Sequence, residues 1–143
     1  MVSVTLHNYK LNEAKDHEKK VNNCVLHLNK KYNTAYQYMQ DIGINMTIAI
    51  EKLEKLKFKK DKNTRLLYSN SSKPKNNKKL VQSKLDKVNV DLQIETDYVI
   101  HITNKYNFAC WQVQDIYIKI CYALKSSYLA VIIRKEIEKD MLK

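Results

Sequence analysis

The chain has 143 residues, enough for one domain with a hydrophobic core. It carries 26 Lys/Arg against 15 Asp/Glu, a net charge of +11, and it contains a single Gly and a single Pro. Folds built from many hairpins or βαβ units need residues with positive φ at their corners, usually Gly or Asn. One Gly therefore disfavours such folds and favours long helices joined by few turns.

The first predicted element is a long helix over about residues 10–57. Stepping from Leu11 by alternating threes and fours reaches an apolar residue almost every time for more than six heptads, and only Glu18 is out of place. Such a series predicts the seam of a coiled coil. Its main residues here are Leu28, Met39, Ile42 and Leu53. Gly43 lies within the helix but off the seam, where it costs about 1 kcal/mol relative to Ala, and a kink or break near it is the alternative to a continuous helix.

A basic segment follows the first helix. Residues 57–84 hold ten Lys/Arg against one Asp, a net of +9, which leaves +2 of the total +11 for the rest of the chain. The stretch "SNSSKPKNN" has the composition of a flexible linker, so a solvated linker is predicted over about residues 58–84. The alternative is contact with nucleic acid or another acidic surface, which would be weak and independent of base sequence. The residues that would make this contact are Lys59, Lys60, Lys62, Arg65, Lys73, Lys75, Lys78 and Lys79.

The second predicted helix covers about residues 85–142. The same stepping from Leu85 holds its phase to the C-terminus, interrupted by Glu95, Ser127 and Arg134. Residues 88–95 also alternate with period two, as a strand would, but a lone strand has nothing to pair with and helix is preferred. The seam residues of this helix include Val99, Ile102, Val113, Ile116 and Ile120.

Two helices flanking a linker predict an all-α fold, a single domain over 1–143 in the form of a long antiparallel helical hairpin or coiled coil. Kinks near Gly43 or within residues 103–107 would give the alternative, a compact four-helix bundle. Placing Leu56 beside Leu85 brings residue 11 close to residue 130. One polar residue on a seam, as at Glu95, commonly sets the register or the choice of partner.

This alignment leaves the second helix partly uncovered. Residues 116–133 are apolar almost all round, but they face a mostly polar part of the first helix. A helix that is apolar on every side is normally buried on every side, so a protein partner or a second copy of the chain is required. The predicted partner-binding residues are Phe108, Trp111, Tyr122, Leu129 and Ile133, with Trp111 as the main anchor.

The same apolar run could be mistaken for a transmembrane segment. It contains Lys119 and Lys125, and a Lys at the centre of a spanning helix costs about 2.5 to 3.5 kcal/mol, so no transmembrane segment is predicted. The N-terminus has no apolar leader, and the three Cys residues show no pairing pattern. We therefore expect free, buried thiols, inert at Cys110 and Cys121, and an intracellular, cytoplasmic location with the nucleus as an alternative.

No pattern in the sequence indicates catalysis, a cofactor or a metal. Glycine-rich phosphate loops, nucleophile motifs and His pairs at metal-binding spacing are all missing from the sequence. The sequence thus predicts a non-enzymatic structural or adaptor subunit of a larger complex. The first alternative is an accessory nucleic-acid-binding protein of a nucleoprotein particle. The second is a helical effector that inserts an amphipathic helix into a target groove.

Overall fold

The computed structural model describes residues 2–69 and 75–143, with side chains described for 4–69 and 77–143. It contains two helices, α1 (Val2–Ser69) and α2 (Lys75–Met141), which pack antiparallel as a hairpin. The predicted all-α hairpin is confirmed. Both helices run unbroken through the positions considered for breaks, so the four-helix bundle is not formed, and residues 88–95 are helical.

The helices are longer than predicted. Residues 58–69 belong to α1 and residues 75–84 to α2, so the prediction of a linker over 58–84 is wrong for these residues. Residues 70–74 lie outside the described part of the chain. Lys is a good helix former, and half-buried positions continue through Asn63 and Leu67 on α1 and Val81 on α2. The polar composition of residues 58–84 indicated a linker, although the half-buried positions of the seam continue into this segment.

The two apolar series form the contact between the helices. Every position of the first series from Leu11 to Leu56, and of the second from Leu85 to Ile137, is buried or half-buried. The chain divides into a central unit, residues 38–109, and a terminal unit, residues 1–37 with 110–143. In the central unit the core consists of Ile42, Ala49, Ile102 and Ala109, with Met39, Met46, Val99 and Tyr106 packed against it.

The register of the hairpin differs from the expected one. In the terminal unit the hydroxyl of Ser127 donates a hydrogen bond to Asn22 Oδ1 at 2.6 Å, and Tyr32 contacts Tyr117 with ring centroids 6.4 Å apart. The expected alignment placed residue 22 beside residue 119, so the helices are shifted by about one heptad, or two helical turns. Residues 116–133 therefore face roughly residues 16–33 of α1, which is again a polar part of that helix.

Polar residues on the seam or next to it form contacts across the hairpin. Glu18 and Arg134, which both interrupt the apolar series, form an ion pair in the terminal unit. In the central unit the buried Glu95 lies 3.4 Å from the Nζ of Lys52. An apolar seam fits itself equally well at every seven-residue shift, so such pairs determine which alignment is adopted.

Candidate protein-docking surface

The five residues predicted to bind a partner are all exposed. Each of them, Phe108, Trp111, Tyr122, Leu129 and Ile133, has between 49 and 70 % of its surface in contact with solvent. Phe108 lies in the central unit and the others in the terminal unit. Neighbouring positions on the inner side of α2, such as Val113 and Ile120, are buried against α1. Helix α2 therefore has one covered face and one uncovered apolar face in the terminal unit.

The exposed residues follow a spacing of their own. Steps of four and three from Trp111 reach a second set of positions, which we call the outer series: Trp111, Asp115, Ile118, Tyr122, Lys125, Leu129 and Ile132. Five of these seven residues are apolar. Trp111, Ile118, Tyr122 and Leu129 are 60, 53, 70 and 49 % exposed, and Ile132 is half-buried. This spacing is that of a coiled-coil seam, on the side of α2 that faces away from α1.

Helix α1 provides an internal comparison within the terminal unit. From Glu13 to Gln37 the equivalent outward positions of α1 are all exposed and all polar, whereas further steps towards the N-terminus reach Tyr9 and Leu6, which are 61 and 50 % exposed. The polar positions are Glu13, Asp16, Lys20, Asn23, His27, Lys30, Thr34 and Gln37. Such a polar outer face is what a helix in contact with water requires. Alongside the outer series, α2 is thus apolar on its outward side where α1 is polar, although α1 has exposed apolar residues elsewhere, such as Ile44 and Ile48.

Contacts near the C-terminal part of α2 hold this face in its orientation. The guanidinium of Arg134 bonds to Glu18 on α1 and to both carboxylate oxygens of Glu138 at 3.1 and 3.2 Å. The hydrogen bond with Glu18, followed by the one with Glu138, raises the pKa of Arg134 above its ordinary value. Together with the bond between Ser127 and Asn22, this ion pair fixes the rotation of α2 about its axis.

By length and composition, one helix of the described chain, Asn77–Met141, is apolar enough to cross a membrane. Only 11 % of its most apolar 18-residue stretch is buried, so this stretch is not enclosed as the core helix of a soluble protein would be. An ion pair joins Lys119 to Asp115 at 3.0 Å on the same helix. The low burial of this stretch is consistent with an apolar surface that a partner covers. The prediction that no segment spans a membrane stays a prediction.

The basic residues proposed for nucleic acid lie on helices. Lys59, Lys62, Arg65 and Lys79 are exposed, whereas Lys60 and Lys78 are half-buried. Lys73 and the side chain of Lys75 lie outside the described residues. Phe58 and Tyr68 are exposed on the same part of α1. The basic residues are thus presented on regular helix surfaces, and the flexible segment expected from the composition is not seen where the chain is described.

The thiols differ from expectation. All three cysteines are free, as predicted, but Cys24 and Cys121 are exposed and Cys110 is half-buried. The prediction of buried thiols is wrong because it assumed that apolar neighbours in sequence surround a residue in space. Cys121 lies on an exposed side of α2, whereas its neighbour Ile120 is buried against α1. Within the described residues, no three His, Cys, Asp or Glu side chains come together as metal ligands.

Sequence reasoning identified the exposed apolar residues but missed their order. Ile118 and Ile132 complete the outer series, and repeating the heptad steps from Trp111 would have shown that all of these residues lie on one face. The two charged members, Asp115 and Lys125, then become part of the same surface.

The chain matches no protein-family model, no curated protein and no solved structure.

Proposed function

We propose that this chain is a non-enzymatic helical-hairpin subunit of a larger assembly, and that it docks a protein surface through the outer series. One observation carries the proposal: apolar side chains at coiled-coil spacing stay exposed on α2, whereas the equivalent positions of α1 from Glu13 to Gln37, which run alongside them, are polar. The partner is a different protein or a second copy of the chain.

The energetics favour a covered surface. Full burial of a large apolar side chain stabilises a protein by about 1.5 to 3 kcal/mol. Trp111, Ile118, Tyr122 and Leu129 keep about half or more of their surface in water. Association that buries them recovers several kcal/mol, before the cost of ordering two molecules is subtracted. An aromatic anchor such as Trp111 is the residue type that dominates many protein interfaces.

Site-specific photo-cross-linking in the cells that make the protein tests this function. A chain carrying Tyr122→p-benzoylphenylalanine places the reactive group in the outer series, and we expect a discrete cross-linked protein adduct after irradiation. The matched control is His27→p-benzoylphenylalanine, at an exposed outward position of α1 in the same unit. Adducts at both positions with equal yield, or at neither, would contradict the proposal.

A dye measurement on the purified chain gives a second, independent readout. A hydrophobic dye should bind the chain when no partner covers the outer series. The double variant Trp111→Ser/Tyr122→Ser should then bind less dye. A purified chain that is a monomer at micromolar concentration and binds no dye would have no uncovered apolar surface. The proposed function would then be wrong.

Nucleic-acid binding is retained as a second candidate function. The observation that favours it is the net charge of +9 within residues 57–84, of which Lys59, Lys62 and Arg65 are exposed on α1. Lysine binds phosphate as a point charge, so such contacts would be salt-dependent and not specific for base sequence. This function uses a different part of the chain, and the two candidates are tested separately.

A further inference from the structure

We propose that the outer series of α2 packs antiparallel against the outer series of a second copy of this chain, with the two-fold axis at the level of residue 120 along the helix. The inference rests on the proposed function, since it requires that the outer series binds protein. It adds the identity of that protein, the direction of the two helices and their register.

The spacing of the outer series is symmetric about residue 120. In an antiparallel pair of identical helices, residues at equal distances before and after the axis face each other. With the axis at residue 120, Ile118 faces Tyr122 of the second copy and Trp111 faces Leu129 of the second copy. Both contacts pair apolar with apolar residues. In the sequence, the last member, Ile132, and the residue one step before Trp111, Phe108, are also apolar and equally far from residue 120.

The charges give the decisive support. Asp115 and Lys125 are the only charged residues in the outer series, and they lie five residues before and five residues after position 120. The same antiparallel register therefore brings Asp115 of each copy against Lys125 of the other. Two ion pairs form across the interface, and no charge is left facing an apolar residue. Opposite charges within an otherwise apolar interface select register and orientation.

Other arrangements of two copies are less favourable. A parallel pair places Asp115 beside its own counterpart and Lys125 beside its own, and like charges in contact cost several kcal/mol. An antiparallel pair shifted by one heptad sets Asp115 against Ile132 or Ile118 and Lys125 against Tyr122 or Phe108. Each of these registers buries unpaired charges. The register centred on residue 120 is the one that pairs both.

The geometry of the single chain is compatible with this contact. Lys125 is exposed, and the side chain of Asp115 is 40 % exposed and already oriented by Lys119 at 3.0 Å. A carboxylate accepts several hydrogen bonds, so Asp115 can bind Lys119 of its own helix and Lys125 of the second copy together. The outer series lies on the side of α2 opposite to α1, so association leaves the seam of each hairpin intact.

Charge reversal with rescue tests the register. By sedimentation equilibrium the chain of 143 residues should be a dimer at micromolar concentration. Asp115→Lys or Lys125→Asp alone should raise the dissociation constant at least about tenfold, because each creates two like-charge contacts. The double variant Asp115→Lys/Lys125→Asp should return it to within about threefold of the original value, because the pairs are restored with reversed polarity.

Matched controls lie on the outer face of α1. Asp16→Lys and Lys30→Asp make the same changes at exposed positions of the same unit, and they should leave the dissociation constant unchanged. Helix content measured for every variant shows that the hairpin is folded. Rescue by the double variant is the result that a merely unfolded or merely less soluble variant cannot produce.

A cross-linking measurement checks the position of the axis. Cys121 is exposed and adjacent to Ile120, so two copies place their Cys121 thiols close together on one side of the interface. In a Cys24→Ser/Cys110→Ser chain, a short bis-maleimide should join two molecules through Cys121. A chain that keeps only Cys24 should give no more than the background of random collisions.

The outcomes separate this inference from the function on which it rests. A chain that is monomeric but binds hydrophobic dye, and that cross-links to a different protein through position 122, would overturn the dimer and leave the docking function in place. A dimer in which the double reversal is no tighter than the single reversals would overturn the antiparallel register. A monomer without dye binding would overturn both proposals.

Discussion

Gly43 lies on α1 against the ring of Tyr106, and this contact explains why the only glycine of the chain occurs within a helix. A Cβ atom built on Gly43 would lie 3.1 Å from Cε2 of Tyr106, which is closer than an ordinary van der Waals contact. Glycine costs about 1 kcal/mol relative to alanine in a helix. The packing of an aromatic ring at the seam offsets that cost, so the residue is a packing feature of the central unit.

We expect Gly43→Ala to stabilise the chain by about 1 kcal/mol only when the ring is removed. In the original chain the gain in helix propensity is cancelled by the tight contact, whereas in a Tyr106→Ala background it is realised. Urea unfolding of the four chains at one fixed protein concentration measures the coupling. Equal effects of Gly43→Ala in both backgrounds would show that the ring does not limit position 43.

Individual polar residues at the seam or next to it also select the alignment of the two helices. Glu18 with Arg134, Asn22 with Ser127 and Lys52 with Glu95 each join the two helices, at positions where an apolar series would allow several alignments. Lys52 is 66 % exposed, so its pair with Glu95 stabilises the fold only weakly. The main effect of these pairs is on which alignment is adopted.

At the scale of the element, each helix has a different outward character. Helix α1 carries polar outward residues from Glu13 to Gln37 and exposed basic residues near its C-terminal end, whereas α2 carries the apolar outer series. The two proposals therefore refer to different surfaces, and a change in one surface should leave the other activity unaffected. This separation makes the nucleic-acid alternative testable.

Replacing Lys59, Lys62 and Arg65 by Gln should weaken binding to a single-stranded or duplex DNA probe equally for all base sequences. Each phosphate contact contributes about 0.7 to 0.9 to the slope of log affinity against log salt, so losing three should reduce the slope by about 2 to 3. Filter binding at several salt concentrations measures this. The control variant replaces Lys15, Lys19 and Lys20 by Gln, and an equal loss there would show that net charge alone is responsible.

At the scale of the whole molecule, the question is whether water, protein or lipid covers the apolar stretch of α2. Within the terminal unit α1 is bonded to this stretch, since Asn22 accepts a hydrogen bond from Ser127. A membrane-spanning α2 would take the polar outward residues of α1 with it, and each charge at mid-membrane costs about 2.5 to 3.5 kcal/mol. The packing of the hairpin therefore favours a protein surface as the cover.

The purified chain should accordingly remain in the aqueous fraction when it is centrifuged on a density gradient with phosphatidylcholine vesicles. Zwitterionic lipid is chosen because anionic lipid would attract the net charge of +11 without any insertion. A chain that floats with these vesicles and resists extraction by alkaline carbonate would show that lipid covers the outer series. Under that result both the docking function and the dimer would be wrong.

Much of the architecture follows from local pattern. Apolar residues at steps of three and four, together with one Gly and one Pro, specify two helices and which side of each helix faces the other, because side-chain direction repeats every 3.6 residues along a helix. The exposed residues of α2, such as Trp111 and Tyr122, were identified for the same reason. Composition did not predict where α1 ends and α2 begins, since the lysine-rich turns at these two ends have the composition of a linker.

The alignment of the helices could be decided only in three dimensions. A heptad seam matches itself at every shift of seven residues, so the sequence pattern alone does not distinguish the expected alignment from the one that brings Glu18 to Arg134 and Asn22 to Ser127. The contact between Gly43 and Tyr106 and the exposure of Cys121 depend on that alignment and on the rotation of each helix. Periodicity along one chain determines faces, whereas register arises from specific contacts between residues far apart in sequence.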